Sequence, residues 1–184
     1  MGNAFGNKKY DALTLVPECN TSKFMGTWFV IHVKPTIFEV GASHAVEKYS
    51  ERSPGRIDID FQYRSGGKDK SLPQKGWVQP RHNGALWKVS PLWPIKIPYS
   101  IIGLASDYSH CVIGYPNRAY FWVMARNPIM DESTYQQILR DLKEKHGYDL
   151  EGSFKVNQDW SDREYALKRG LVEETESHSS SASQ

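Results

Sequence analysis

Histidine and cysteine, the side chains that most often bind metals or act as nucleophiles, are scattered in this sequence. The histidines are His32, His44, His82, His110, His146 and His178. None of them forms a His-x-His pair on a strand or an i, i+4 pair on a helix, the spacings that zinc sites use. A Gly-rich phosphate loop and the GxSxG and CxxC motifs are also missing. The sequence therefore predicts no metal site and no cofactor.

The two cysteines limit the remaining covalent chemistry. Cys19 and Cys111 can form at most one disulfide bridge, which excludes a disulfide-rich scaffold and a four-thiolate zinc site. Cys111 lies in an apolar, strand-like run, where a small buried side chain is expected more often than a nucleophile. A catalytic Cys111 is kept as an alternative, which a thiol titration would test because a catalytic thiol has a depressed pKa.

Charge and hydropathy exclude several classes of partner. The 184 residues include 23 basic and 21 acidic side chains, a net charge of +2, which is too balanced for a nucleic-acid binder. No apolar run reaches the length of about 18 residues that a transmembrane helix needs. The N-terminal stretch MGNAFGNKKYD lacks the apolar segment of a signal peptide. This favours a cytoplasmic or peripheral membrane location, or a presequence that has been removed.

Short β-favouring runs separated by turn residues fill most of the chain. Within the run at 56–63, Ile57, Ile59 and Phe61 alternate with polar residues, as in a strand with one solvated face. The runs lie at 26–33, 45–50, 56–63, 76–80, 85–89, 99–106, 111–115 and 119–126. Eight such runs in succession predict an all-β fold, an antiparallel up-and-down barrel whose closure leaves no exposed edge.

The remaining elements follow the eighth run. Apolar residues at i, i+3, i+4 and i+7 after Asp131 predict one C-terminal amphipathic α-helix that flanks the barrel. A short ninth strand is predicted at 154–156. We therefore expect a flexible N-terminal arm at 1–12, one barrel-plus-helix domain at 13–160, and a largely disordered Ser- and Glu-rich tail at 161–184.

Three short motifs in order carry a resemblance to a known family. Gly26-Thr27-Trp28 opens the first run, Asp107-Tyr108 separates the sixth and seventh runs, and Arg126 ends the eighth. This pattern resembles the lipocalin family, particularly its bacterial, apolipoprotein D-like and plant temperature-induced members. The resemblance implies an eight-stranded barrel that is closed at one end.

Trp28 and Arg126 have a structural role that the barrel itself explains. The first and eighth strands pair in a closed barrel, which brings the indole and the guanidinium together. We expect Arg126 to stack on Trp28 and seal the barrel floor through a cation–π contact of about 0.5–2 kcal/mol.

The resemblance implies binding of one small lipophilic molecule, such as a fatty acid, lysolipid, sterol or isoprenoid pigment, in the barrel interior. Counting alternate positions back from Arg126 places three side chains of the eighth strand on one face, and the position of Trp122 lines the cavity in lipocalins. The same alternation on the other strands completes the predicted ligand-binding set. This set is Val30, His32, Tyr49, Phe61, Trp87, Val89, Tyr99, Tyr120, Trp122 and Met124.

Two further functions stay open beside that of a carrier. A few lipocalin-like proteins isomerise or reduce bound lipids, and Cys111 would be the nucleophile of such an enzyme. The other alternative is a protective or interaction protein that contacts membranes peripherally. Gly2, followed by Lys8 and Lys9, is a candidate for N-myristoylation that would provide such contact. The sequence does not indicate an oligomeric state.

Overall fold

Eight antiparallel strands form a closed barrel in the computed structural model, which describes residues 10–37 and 39–172. Each strand pairs with the next along the chain, and β1 pairs with both β2 and β8, which closes the barrel. The strands are β1 (Gly26–Lys34), β2 (Ser43–Ser53), β3 (Arg56–Ser65), β4 (Lys68–Val78), β5 (Leu86–Leu92), β6 (Ile95–Leu104), β7 (His110–Gly114) and β8 (Phe121–Ala125). The predicted fold class is confirmed.

Helices and a short strand pack on this barrel. The short helix α1 (Thr21–Phe24) precedes β1, and a 3₁₀ turn (Pro80–His82) joins β4 to β5. Helix α2 (Glu132–Glu144) begins at Asp131, whose carboxylate accepts a hydrogen bond from the backbone N–H of Thr134 at 2.9 Å. Its buried face covers the outside of β7 and β8. Strand β9 (Phe154–Lys155) pairs antiparallel with the end of β1.

Strands β4, β5 and β6 extend further than the sequence pattern predicts. The first part of β4 is polar and contains Pro73, and it pairs with β3 while β5 pairs only with residues 75–78. A strand with one free edge tolerates proline because that edge needs no N–H donor. The Trp- and Pro-rich stretch at 90–98 forms the β5–β6 hairpin, where Leu92 pairs with Ile95.

The chain does not become disordered at residue 161, so this part of the tail prediction is wrong. Residues 161–172 include helix α3 (Arg163–Lys168), which begins at Asp162. Tyr165 stacks on Trp160 with ring centroids 5.5 Å apart, and its hydroxyl donates to Asp69 Oδ1 at 2.8 Å. The prediction gave more weight to the Ser- and Glu-rich composition of the last residues than to the aromatic contacts that Tyr165 can make.

Some of the sequence predictions fall outside the described residues. The lipidation candidate Gly2 and residues 1–9 of the predicted arm are among them, as are residues 173–184 of the predicted tail. Within the described part of the chain, the helices are too short or too polar to cross a lipid bilayer.

Candidate ligand cavity and barrel floor

Aromatic side chains fill the closed half of the barrel. Phe24, at the end of helix α1, is fully buried and lies against Trp28, Trp87 and Tyr49, with ring centroids 4.9, 5.2 and 5.4 Å away. Tyr99 stacks on Trp87 at 5.3 Å. We call these five side chains the aromatic plug. The plug leaves space for a ligand only towards the other end of the barrel.

Arg126 closes the barrel beneath this plug. Its guanidinium carbon lies 3.8 Å from the centre of the Trp28 ring, the cation–π contact that the sequence predicts. The same guanidinium donates hydrogen bonds to the backbone carbonyls of residues 23, 24, 25 and 27 at 2.8, 3.2, 2.9 and 2.8 Å. Trp28 Nε1 donates to the Phe24 carbonyl at 2.8 Å. One side chain therefore joins β8, α1 and the start of β1.

The remaining motif residues also lie at the floor. Gly26 has a φ of +97°, and a Cβ there would lie 3.3 Å from Arg126 Nη1, so glycine leaves room for the guanidinium. Asp107 accepts a hydrogen bond from the Ser109 N–H at 2.9 Å and fixes the β6–β7 turn. The Tyr108 hydroxyl of that turn accepts a hydrogen bond from the backbone N–H of residue 20 at 2.8 Å.

A cavity of about 70 Å³ lies above the plug, at the open end of the barrel. Apolar side chains from β3 to β6 make up most of its wall, and the β1–β2 loop contributes Thr36 and Glu39. Its lining residues are Thr36, Glu39, Glu47, Ile59, Phe61, Leu72, Gln74, Val89, Pro91, Ile97, Pro98, Tyr99 and Trp122. This composition, largely apolar with a few polar groups, is typical of sites for small lipophilic molecules.

The predicted ligand set divides between several places. Cavity-lining members are Phe61, Val89, Tyr99 and Trp122. Members that pack in the barrel interior without lining the cavity are Val30, Tyr49, Trp87 and Met124. Tyr120 is half-buried beside Trp122, with ring centroids 6.4 Å apart. Alternation along the strands therefore identifies the inward face for most of the set.

His32 is the exception, and its predicted place in the cavity is wrong. A β-bulge between Val30 and His32 shifts the register of β1 against β8, which turns His32 to the outside of the barrel. The ring stacks on Phe121 at 5.7 Å and lies under helix α2. Val33 takes the inward position in its place.

Hydrogen bonds determine the tautomer of His32. Ser153 Oγ donates to the Leu150 carbonyl at 2.6 Å, so His32 Nε2 is the donor to Ser153 at 2.8 Å. Nδ1 then accepts from the Tyr135 hydroxyl at 2.6 Å. Burial, with a smaller effect of the Lys155 charge, lowers the pKa of His32 to about 4. His32 is therefore a neutral structural link between β1 and helix α2.

Two buried carboxyl groups in the cavity wall were missed by the sequence analysis. Glu47 shares the inward face of β2 with Tyr49, and Glu39 lies in the β1–β2 loop. Glu39 Oε1 accepts a hydrogen bond from Trp122 Nε1 at 3.0 Å, and Oε2 accepts one from the Thr36 N–H at 2.7 Å. The sequence does contain an indication for Glu47: it lies two residues before Tyr49, so strand alternation places both side chains on the same face of β2.

Cys111 shows none of the features of an activated nucleophile. The side chain is fully buried in the barrel core, and burial raises the pKa of the thiol well above its ordinary value. Cys19 and Cys111 are both free, so the disulfide that the sequence permits is not formed. Across residues 10–37 and 39–172, no three His, Cys, Asp or Glu side chains are grouped so that they could hold a metal ion.

Comparison with known proteins agrees with this geometry. Residues 19–158, which are most of the chain, match a family model described as Lipocalin-like domain. The chain belongs to the lipocalin family. The resemblance in the sequence motifs is thereby confirmed. Lipocalins are mostly proteins that bind small hydrophobic ligands, and this membership supports a binding role for the barrel.

Individual lipocalins differ considerably from this one in sequence. Temperature-induced lipocalin-1 of Arabidopsis thaliana is 27% identical over 157 residues, covering 79% of this chain and 83% of that protein. The outer membrane lipoprotein Blc of Escherichia coli K12 is 26% identical over 150 residues, with the same coverage. Among solved structures, insecticyanin of the tobacco hornworm Manduca sexta superposes with a TM-score of 0.64 at 13% identity, covering 83% of this chain and 87% of that one. Lobster apocrustacyanin A1 has a TM-score of 0.62 at 15% identity, with 77% and 81% coverage. The structural matches show the shared fold.

Proposed function

We propose that this lipocalin binds one small lipophilic molecule in the cavity above the aromatic plug, and carries or protects it. The observation that carries the proposal is the cavity itself, which is apolar and enclosed by a continuous barrel wall. Binding there removes apolar ligand surface from water, a gain of about 25 cal/mol per Å² before ordering costs are subtracted. Because Cys111 is buried and lies outside the cavity lining, a binding role is favoured over an enzymatic one.

The size of the cavity limits how a ligand enters. About 70 Å³ holds a short alkyl segment, whereas cavities for drug-sized ligands measure about 300–1,000 Å³. The hydrogen bond from Trp122 to Glu39 holds the β1–β2 loop against the open end. We infer that a larger ligand binds by displacing this loop from Trp122.

Filling the cavity should weaken the binding of a neutral lipophilic probe. Leu72 lines the cavity and is half-buried, so Leu72→Trp should occupy the free volume and weaken binding of diphenylhexatriene at least about tenfold. Binding is measured by energy transfer from tryptophan to the probe. Leu139→Trp, at a half-buried leucine of helix α2 outside the barrel, should leave the affinity within about twofold. Unchanged binding by a folded Leu72→Trp variant would place the probe outside this cavity.

We also propose that the open end of the barrel contacts a membrane surface. Two loops that flank the cavity entrance expose large apolar side chains, and Trp93 alone is 71% exposed. These side chains are Ile37, Val40, Leu92, Trp93 and Ile95. The Lys96 ammonium lies 5.3 Å from the Trp93 ring, which places a cation beside the aromatic group. Tryptophan and lysine together favour the interface of an anionic bilayer.

Vesicle flotation tests this membrane contact. Replacing Leu92 and Trp93 by serine should reduce the fraction of protein that floats with phosphatidylserine-containing vesicles at least about threefold, because both side chains insert between headgroups. Ile129→Ser is the control, since Ile129 is similarly exposed but lies beside β9 on the barrel wall. Equal flotation of all three proteins would exclude the open end as the contact surface.

A further inference from the structure

The lining of the cavity contains two acidic side chains. Glu39 and Glu47 line it, each with only 7% of the residue exposed. None of the described residues that line the cavity is a lysine, an arginine or a histidine. Within the cavity, the polar end of a ligand therefore meets carboxyl groups and hydroxyls, and none of the described lining residues offers it a cation.

The contacts of Glu47 leave one oxygen available. The Tyr49 hydroxyl donates to Glu47 Oε2, and the Tyr99 hydroxyl, 2.7 Å from that of Tyr49, then donates to Tyr49. No donor reaches Oε1 of Glu47 from the residues that the structure describes. Glu47 lines the cavity, so a ligand bound there can supply a hydrogen-bond donor to this oxygen.

Both carboxylate oxygens of Glu39 already accept hydrogen bonds, from Trp122 and from Thr36. Glu39 affects Glu47 through its negative charge, which disfavours ionisation of the second carboxyl group. Burial, reinforced by the nearby Glu39, raises the pKa of Glu47 to about 8. Near neutral pH, when no ligand is bound, the carboxyl group of Glu47 is therefore mostly protonated. A positively charged ligand can take the place of that proton, whereas a ligand carboxylate would add a third acidic group.

We propose that the cavity selects lipophilic amines, with the apolar body of the ligand among the aliphatic wall residues and its protonated amino group bound to Oε1 of Glu47. This inference rests on the proposed binding function and narrows it. It disfavours fatty acid anions, one of the ligand classes that the sequence suggests.

Three ligands with the same alkyl chain test the selection. Octylamine, octanol and octanoate compete with diphenylhexatriene for the cavity at about pH 8, where Glu47 is substantially ionised. We expect octylamine to bind at least about tenfold tighter than octanol, and octanoate to bind weakest. Glu47→Gln should bring octylamine to within about threefold of octanol and leave octanol unchanged. Glu51→Gln, on an exposed residue of the same strand, should retain the preference for the amine.

The pH dependence provides a second readout. An aliphatic amine stays protonated below about pH 10, so of the two groups that meet in the proposed ion pair Glu47 is the one that titrates between about pH 6 and 8. Octylamine binding should strengthen at least about tenfold across that interval and release a proton, while octanol binding should not change. Because the pKa of Glu47 is raised on folding, its ionisation also destabilises the empty protein as the pH rises towards 8. Glu47→Gln should remove this loss of stability and the pH dependence of amine binding together.

The possible failures are distinguishable. If diphenylhexatriene and octanol do not bind the wild-type protein, the proposed lipophilic site is wrong. If they bind but octylamine gains nothing over octanol, or if Glu47→Gln keeps the preference, the selection of amines is overturned while the lipophilic site remains. Tighter binding of octanoate than octylamine would also overturn it.

Discussion

Truncation of Trp28 to alanine should lower the free energy of unfolding by about 3–5 kcal/mol. Trp28 is fully buried, and its loss would leave a cavity between Phe24 and the Arg126 guanidinium. Urea unfolding followed by circular dichroism measures the change. Ile129→Ala, a truncation at a side chain that is 84% exposed, should change stability by less than about 0.5 kcal/mol.

Arg126 supplies the partner for a double-mutant cycle. Arg126→Leu removes the cation–π contact and the hydrogen bonds to four backbone carbonyls, and should cost about 2–3 kcal/mol. The double variant should lose about 0.5–2 kcal/mol less than the sum of the two single losses, because each single change already breaks the shared contact. Additive losses would show that the contact contributes nothing to stability.

Gly84→Ala should destabilise the protein by about 2–5 kcal/mol. Gly84 has a φ of +79°, and a Cβ there would lie 2.0 Å from the backbone oxygen of Cys19. The adjoining hydrogen bond, from the Cys19 N–H to the Asn83 carbonyl at 2.8 Å, holds the N-terminal segment against the β4–β5 connection. The new methyl group would have to push this segment away.

A second glycine separates the clash from the backbone strain. Gly66 has a φ of +59°, but a Cβ added there would meet no atom within 4 Å, so Gly66→Ala should cost only about 1–2 kcal/mol. Burial raises the pKa of the Cys19 thiol to about 12, so the thiol reacts slowly in the native protein. Displacement of the segment that contains Cys19 should expose the thiol, and labelling should therefore be faster in Gly84→Ala but not in Gly66→Ala. Equal stability and equal labelling rates in the two variants would show that the Cys19 segment moves away from the new methyl group without a loss of stability.

The barrel could be predicted from the sequence because its strands alternate visibly. On β3, Ile57, Ile59 and Phe61 are buried and the residues between them are not, as period-two alternation requires. The flanking helix follows in the same way from Asp131 and the apolar spacing after it. Both signals are local, so neither depends on knowing the rest of the fold.

The site was harder to predict because three of its features depend on non-local packing. The bulge before His32 reverses the alternation of β1, and nothing in the residues themselves marks it. Glu47 has the same parity as Tyr49, but a carboxyl group is normally expected on the solvated face of a strand. Phe24 enters the barrel from a helix of one turn, where strand alternation carries no information.

The aromatic plug limits the length of ligand alkyl chain that the barrel can enclose. An alkyl chain that enters at the open end stops where Tyr99 stacks on Trp87, since Phe24 and Trp28 occupy the space beneath. Methylene groups up to that depth are desolvated, and each adds about 0.8 kcal/mol. Further methylenes stay at the entrance beside the exposed Trp93 and add little. Within a homologous series, affinity should therefore rise with length and then level off at the chain that just reaches the plug.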